Sequence, residues 1–94
     1  MSSVYIIYSL SIDKYYIGSC KDLTIRMEEH RSKKYKGSYT RQADDWELFL
    51  EIGNLSHSQS LKMEQHIKRM KSRVYVENLR KYPEIIEKLR GKYL

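Results

Sequence analysis

The chain has 94 residues, of which 40% are apolar and 32% are charged, which suits one domain with a modest core and excludes intrinsic disorder. Its formal charge of +6, from 18 lysines and arginines against 12 acids, favours a polyanionic partner such as nucleic acid. The single cysteine excludes an internal disulfide and a cysteine-based zinc site, and no apolar run reaches the ~20 residues that a membrane span needs.

Two strands joined by a short turn are predicted at the N-terminus. Residues 4–10 and 14–19 are rich in β-branched and aromatic side chains, and a short polar segment separates them. Because side chains alternate along a strand, the first strand should place Val4 and Ile6 on one face and Tyr5 and Ile7 on the other. This segment lacks the basic lead and cleavage site of a signal peptide, so we expect a soluble, intracellular protein of the cytoplasm or nucleus.

A helix and a third strand are predicted next. Asp22 is a plausible N-cap for a helix over residues 23–32, whose apolar stripe includes Leu23, Met27 and His30. Residues 33–45 have the composition of a basic, turn-prone loop. Apolar and polar side chains alternate over residues 46–52, which predicts a strand with Trp46, Leu48 and Leu50 on one side. This strand is expected to end at Gly53-Asn54.

The second half of the chain is predicted to be mainly helical. Ser56 or Ser58 can cap a long helix over residues 57–71, and Pro83 suits the first turn of a last helix over residues 83–91. Residues 74–80 fit either an extended segment or the start of a helix. The order β-β-α-β-α-α predicts an α+β fold, a small three-stranded antiparallel sheet flanked by helices, as a single domain over residues 1–94.

Glu64 is the most informative residue of the second half. On a helical wheel of residues 57–71 it falls within the apolar arc that runs from Met70 round to Leu61. An unpaired carboxylate in a core costs several kcal/mol, so Glu64 should lie at the edge of the core, form an ion pair or bind a cation. The ordinary alternative is an i, i+4 pair with Lys68, worth ~0.3–0.5 kcal/mol.

Several residues of the first half each have an ordinary structural explanation when taken alone. Arg26 and His30 lie one turn apart beside the apolar stripe. A partly buried arginine and a hydrogen-bonded histidine would explain these positions without a functional site. Tyr5 and Tyr16 suit plain strand tyrosines, although the nine tyrosines of the chain also suit a site that stacks bases or handles phosphate. Gly18 near a strand end indicates a turn or a close approach of the backbone.

Together these residues resemble the signature of the GIY-YIG endonuclease superfamily. Ser3-Val4-Tyr5 stands where the family has its first tripeptide, and Tyr16-Ile17-Gly18 matches the second tripeptide residue for residue. Arg26 matches the arginine of the following helix, His30 matches a histidine that many members carry, and Glu64 matches the metal-binding glutamate of a later helix. The resemblance covers residues 3 to about 75 and looks closest to the small stand-alone members.

The sequence departs from the family pattern at two places, and one further family residue has only a loose counterpart. Ser3 replaces the first glycine. Ser19 stands where some repair members carry a lysine, so the base-activation route of those members does not carry over. The asparagine that some members place after the glutamate has one loose counterpart, Asn78.

The resemblance implies hydrolysis of phosphodiester bonds with one divalent ion, Mg²⁺ or Mn²⁺. Glu64 is the implied ligand, because one carboxylate with water and phosphate completing the shell suits a hard octahedral ion. Arg26 would bind the phosphate through its guanidinium group, which is always charged and can donate two parallel hydrogen bonds. Tyr5 is the expected general base or water-orienting group, with Tyr16 beside it. Cations must lower the tyrosine pKa from ~10 for this role, and His30 would either supply one or relay the proton.

Two basic stretches flank these residues and are expected to bind nucleic acid. The predicted contact residues are Gly18, Lys33, Lys34, Lys36, Arg41, Lys68, Lys71 and Arg73. No separate recognition domain is visible, so cleavage is expected to be structure-directed or non-specific, with DNA favoured over RNA. Two other functions stay open: a catalytically inactive nucleic-acid-binding module, and a subunit of a larger nuclease complex. A protein partner or a homodimer is compatible with so small a domain.

Overall fold

A central strand organises the fold. The protein is described by a computed structural model over residues 1–32 and 38–94, and this part of the chain forms a three-stranded antiparallel sheet with helices packed on both faces. The strands are β1 (Ser2–Ser9), β2 (Lys14–Cys20) and β3 (Trp46–Leu55), in the spatial order β2-β1-β3. The helices are α1 (Leu23–Arg31), a 3₁₀-helix (Ser38–Gln42), α2 (His57–Met70), α3 (Arg73–Lys81) and α4 (Glu84–Lys92). No helix in these ranges is long and apolar enough to cross a membrane.

Both faces of β1 are buried, each in a different core. Val4 and Ile6 face the larger core, which β1 shares with β3, α2, α3 and α4. Tyr5 and Ile7 face a smaller core that includes Met27 of α1 and the start of β3. The alternation predicted for the first strand is therefore confirmed. It places α1 on one face of the sheet and the C-terminal helices on the other.

The predicted α+β class and element order are confirmed, with one further helix. Residues 74–80, which the sequence did not assign to a strand or a helix, form part of α3. Ser72 caps the first turn of this helix by accepting a hydrogen bond from the backbone N–H of Tyr75 at 3.1 Å. Val76 and Leu79 then anchor that helix in the larger core. At the start of α2, Ser56 is the capping residue, in a reciprocal capping box.

Strand β3 differs from the prediction in its length and in the placement of its side chains. Gly53-Asn54 does not end the strand but coincides with a register shift, with Asn54 in the left-handed region at φ 58°. A second register shift lies near the middle of the strand. As a result Trp46 lies in the smaller core, Ile52 lies in the larger one, and Leu48 is 47% exposed. An inserted residue reverses the face of every later side chain, so simple alternation fails here.

Candidate active site

The two signature tyrosines and the histidine of α1 form an aromatic cluster on the smaller-core face of the sheet. Tyr5 on β1 and Tyr16 on β2 are diagonal neighbours, with ring centroids 6.3 Å apart. His30 contacts both rings, with centroid distances of 5.7 Å to Tyr5 and 5.4 Å to Tyr16. A hydrogen bond of 2.9 Å joins the Tyr5 hydroxyl to Nε2 of His30. The structure thus brings three of the predicted site residues together.

The members of this cluster differ in depth. Tyr5 and His30 are fully buried, with 0% exposure, whereas Tyr16 is half-buried and lines a surface groove. Tyr5 is the residue that the sequence favoured as the general base, yet its hydroxyl lies in the interior and contacts His30. Tyr16 is therefore the tyrosine of this pair that reaches the protein surface.

Gly18 explains how the Tyr5 ring fits into the sheet. Gly18 is the cross-strand partner of Tyr5, and a Cβ at this position would lie 2.6 Å from the Tyr5 hydroxyl oxygen and 2.7 Å from Cζ. Both distances are far shorter than a van der Waals contact. The close approach predicted at Gly18 therefore exists, but the Tyr5 ring fills the space that the sequence assigned to nucleic acid.

We expect Gly18→Ala to destabilise the protein by about 1–3 kcal/mol, because the added methyl group overpacks the site and forces the Tyr5 ring to move. Gly91→Ala is the matched control, since an added Cβ there meets nothing within 4 Å and alanine favours the helix. Urea unfolding of both variants measures the difference in free energy of unfolding. Equal stability of the two variants would contradict the packing described for Gly18.

Burial controls the charge of His30. Its pKa lies below the ordinary value of 6.5 chiefly because burial disfavours the charged form, and the Arg26 guanidinium lowers the pKa further against an opposing effect of Glu29. The imidazole is therefore neutral at pH 7. It does not supply the positive charge that was expected from the sequence to lower the tyrosine pKa. The same burial makes the imidazole a weaker proton acceptor, so a proton relay through His30 stays a prediction.

Stability is expected to decline as the pH falls from about 6.5 toward 5. The folded pKa of His30 is depressed, so the unfolded chain binds the proton more readily and acid favours unfolding. His66, whose pKa burial also lowers, acts in the same direction. Urea unfolding across this pH range should show a shallower pH dependence in His30→Asn than in the wild type. An unchanged slope would exclude His30 as a source of the effect.

Arg26 lines a cleft between α1 and the beginning of α2. Its Nε lies 3.2 Å from Oε1 of Glu29, and 26% of the Arg26 side chain is exposed. The cleft has a volume of about 360 Å³ and also includes Lys21, just after β2, and Ser60 of α2. The ion pair fixes one edge of the guanidinium on α1, so Arg26 presents an oriented positive charge at this cleft.

Glu64 lies at the edge of the larger core, as predicted from the helical wheel. Only 13% of its side chain is exposed, and its Oε2 accepts a hydrogen bond from Nζ of Lys68 at 2.6 Å. Met63 and Ile67, on either side of it in α2, are buried. Within residues 1–32 and 38–94, no three His, Cys, Asp or Glu side chains cluster as metal ligands do. A metal ion at Glu64 would thus depend on water and phosphate for most of its shell.

The position of Glu64 along α2 connects it to the other site residues. Ser60, Glu64 and Lys68 follow one another at four-residue spacing and so share one side of the helix. Ser60 lines the cleft that contains Arg26, whereas Lys68 lines the groove that contains Tyr16. Glu64 therefore lies between Ser60 of the cleft and Lys68 of the groove on this side of α2, a helix that packs against β1 and β2.

The predicted nucleic-acid contacts fall into different environments. Lys68 and Lys71 both line the groove beside Tyr16, and Arg41 is exposed on the 3₁₀-helix. Lys33, Lys34 and Lys36 lie outside the described residues. Only part of the predicted basic surface therefore has a defined place next to the site.

Arg73 has a structural role that the sequence did not indicate. Its guanidinium pairs with the Asp13 carboxylate and lies over the rings of Tyr8 and Tyr15, at 5.9 Å and 5.3 Å from their centroids. Asp13 correspondingly raises the pKa of Arg73. Arg73 thus ties α3 to the turn between β1 and β2. Asn78 lies half-buried on the same helix, and its catalytic role stays a prediction.

Tyr39 was not among the predicted site residues, although it lines the groove with Tyr16, Lys68 and Lys71. The sequence offered one weak signal for it. Tyr39 lies three residues after Lys36, in a stretch from Arg31 to Arg41 that contains five cations and no acid. Its closeness to Tyr16 depends on how the 3₁₀-helix packs against β2, which local sequence patterns do not reveal.

The sheet order and the placement of the helices are those of a GIY-YIG fold, with the signature tyrosines on adjacent strands. The profile of the GIY-YIG catalytic domain matches residues 1–80 of the 94-residue chain. The chain belongs to this family of nucleases, and the resemblance drawn from the sequence is confirmed. No match was found among curated proteins or among solved structures.

Proposed function

We propose that this chain is a metal-dependent endonuclease that hydrolyses phosphodiester bonds, preferring DNA to RNA and acting in a structure-directed or non-specific manner. The observation that carries the proposal is the GIY-YIG family match over residues 1–80. It is supported by the placement of three signature residues: Tyr16 lines the groove, Arg26 lines the cleft, and Glu64 lies on α2 between Ser60 of the cleft and Lys68 of the groove. A surface that only binds nucleic acid needs cations. Nucleic-acid binding alone does not require a carboxylate such as Glu64 next to these cations at the edge of the core.

The donor chemistry of Glu64 fits Mg²⁺ or Mn²⁺. Its carboxylate is a hard oxygen donor, and the ammonium group of Lys68 at 2.6 Å already occupies a cation position beside it. Mg²⁺ commonly uses one or two protein carboxylates and retains several waters, so a single glutamate suffices as the protein ligand. Such an ion, when bound, stabilises negative charge on the phosphate oxygens and lowers the pKa of a coordinated water.

Arg26 binds the phosphate that is cut. Its guanidinium keeps its positive charge at all relevant pH values and can offer two parallel N–H donors to phosphate oxygens. Glu29 acts as a positioning residue, because its contact with Nε sets the orientation of the guanidinium at the cleft. As negative charge grows on the phosphate in the transition state, a charge already held in place stabilises it without reorganisation.

Tyr16 orients the attacking water, because it is the member of the aromatic cluster that lines the groove. Tyr5 and His30 are positioning residues behind it. His30 packs edge-on against Tyr16, with an interplanar angle of 65°, and the hydrogen bond to Tyr5 fixes the imidazole ring. Nε2 of His30, 2.9 Å from the Tyr5 hydroxyl, is placed to exchange a proton with Tyr5.

The test is a nuclease assay on the isolated chain, with branched, nicked, single-stranded and double-stranded DNA and RNA, in Mg²⁺, Mn²⁺ or EDTA. We expect cleavage only with metal, and faster cleavage of DNA. Salt-sensitive binding without metal-dependent cleavage would instead support a catalytically inactive binding module. Cleavage that appears only after a second protein is added would support a subunit of a larger nuclease. Size-exclusion chromatography in parallel establishes whether the active species is a monomer or a homodimer.

A further inference from the structure

The groove beside Tyr16 combines aromatic rings with lysines. Its volume is about 570 Å³, within the roughly 300–1,000 Å³ typical of small-ligand sites. Its lining residues are Tyr15, Tyr16, Ile17, Tyr39, Lys68 and Lys71. Three tyrosines and two lysines supply flat apolar surface and positive charge together, which is the combination that a nucleotide requires.

Tyr39 is the most exposed ring of the groove and it is supported from the interior. Its ring is 38% exposed, and its centroid lies 5.8 Å from that of Tyr16 and 6.3 Å from that of Trp46. Trp46 is only 1% exposed and donates from Nε1 to the carbonyl of Thr40 at 2.8 Å. A ring backed by a fixed neighbour loses little entropy when a ligand stacks on it.

The two lysines place positive charge next to these rings. Lys68 is bonded to Glu64, so the groove adjoins the carboxylate to which the metal is assigned. Lys71 ends α2 in the left-handed conformation, at φ 46° and ψ 39°, where glycine is the usual residue. A lysine at this position gives up some backbone stability but adds a cation at the rim of the groove.

We propose that this groove binds an unpaired nucleotide next to the phosphate that is cut, with its base stacked on Tyr39 and its phosphate bound by Lys71. This inference rests on the proposed nuclease function for the identity of the neighbouring site. A paired base inside a duplex has both faces covered by its neighbours, so it cannot stack on Tyr39. The preferred substrate is therefore nucleic acid with a single-stranded segment, such as a gap, a flap or an end.

The experiment measures binding separately from cleavage. Fluorescence anisotropy in EDTA compares a labelled blunt duplex with the same duplex carrying a single-stranded gap, in DNA and RNA forms. We expect the gapped substrates to bind about 10-fold more tightly, the size of one stacked base. Tyr39→Ala should abolish the preference, whereas Tyr39→Phe should retain it because the ring remains. Tyr82→Ala is the matched control, since Tyr82 is similarly exposed, at 42%, but lies at the end of α3.

Each possible outcome of this experiment either supports the nucleotide site or overturns it. Equal affinity for gapped and blunt duplexes, or an unchanged preference in Tyr39→Ala, overturns the nucleotide site even if the chain cuts DNA. A Tyr39-dependent preference without metal-dependent cleavage of either substrate supports the nucleotide site and rejects the nuclease function. Loss of the preference in Tyr39→Phe or Tyr82→Ala would also reject stacking, because neither change removes the ring proposed to stack.

Discussion

Replacing Glu64 with glutamine is expected to reduce metal-dependent cleavage by about 10²–10³-fold while the protein stays folded. Glutamine keeps the size of the side chain but removes the negative charge that would hold a divalent ion. The ion pair with Lys68 contributes little to stability, because 42% of the Lys68 side chain is exposed and pairs of this kind are worth ~0.3–0.5 kcal/mol. A large loss of activity would therefore report chemistry and not unfolding.

Single-turnover cleavage separates the chemical step from binding and product release. Binding to the same substrate in EDTA should be unchanged or tighter in Glu64→Gln, because the variant removes a negative charge beside cations. Glu87→Gln is the control for loss of a glutamate charge: Glu87 is also a helical glutamate with an ion-pair partner, Arg90 at 3.2 Å, but its side chain is 71% exposed and it lies on α4 outside the cleft and the groove. A folded Glu64→Gln that cuts within about threefold of the wild-type rate would exclude Glu64 as the metal ligand.

The parts of the fold that the sequence predicted correctly depend on short-range patterns. The alternation in β1, the buried stripe of Met27 and His30 in α1, and the cap at Ser56 each arise from residues within a few positions of one another. The edge position of Glu64 follows from the same helical periodicity. Such patterns predict the structure correctly because they depend only on the backbone geometry of a single helix or strand.

The features that the sequence did not predict depend on which strands pair and in what register. The burial of Tyr5 requires Gly18 directly opposite on β2, and no local pattern near Tyr5 specifies that partner. Likewise Arg73 is predicted from the sequence to contact nucleic acid. Its partner Asp13 lies 60 positions earlier in the chain, so their ion pair becomes apparent only in the folded structure. The family signature grouped these residues as one site, and their catalytic roles stay predictions. Which members of the group are buried and which are exposed could be seen only in the packed structure.

Replacing Arg26 with alanine is expected to lower kcat/KM by about 10²–10³-fold, and replacing it with lysine by about 10-fold or more. Lysine keeps the positive charge but has no planar fork for two phosphate oxygens and cannot reproduce the contact of Nε with Glu29. If Arg26 contacts a phosphate, the slope of log affinity against log salt concentration should also become shallower by about 0.9 in Arg26→Ala. Affinity measured at several salt concentrations provides that slope.

Lys88→Ala shows whether charge alone accounts for the effect, because it removes the same net charge from an exposed position on α4. Equal losses of cleavage in Arg26→Ala and Lys88→Ala would mean that Arg26 acts only through the overall field of the protein. Glu29→Gln should fall between wild type and Arg26→Lys, since it leaves the guanidinium in place but weakens its orientation. This graded order distinguishes a directed phosphate contact from general electrostatic attraction, because general attraction predicts that removing an acid improves activity.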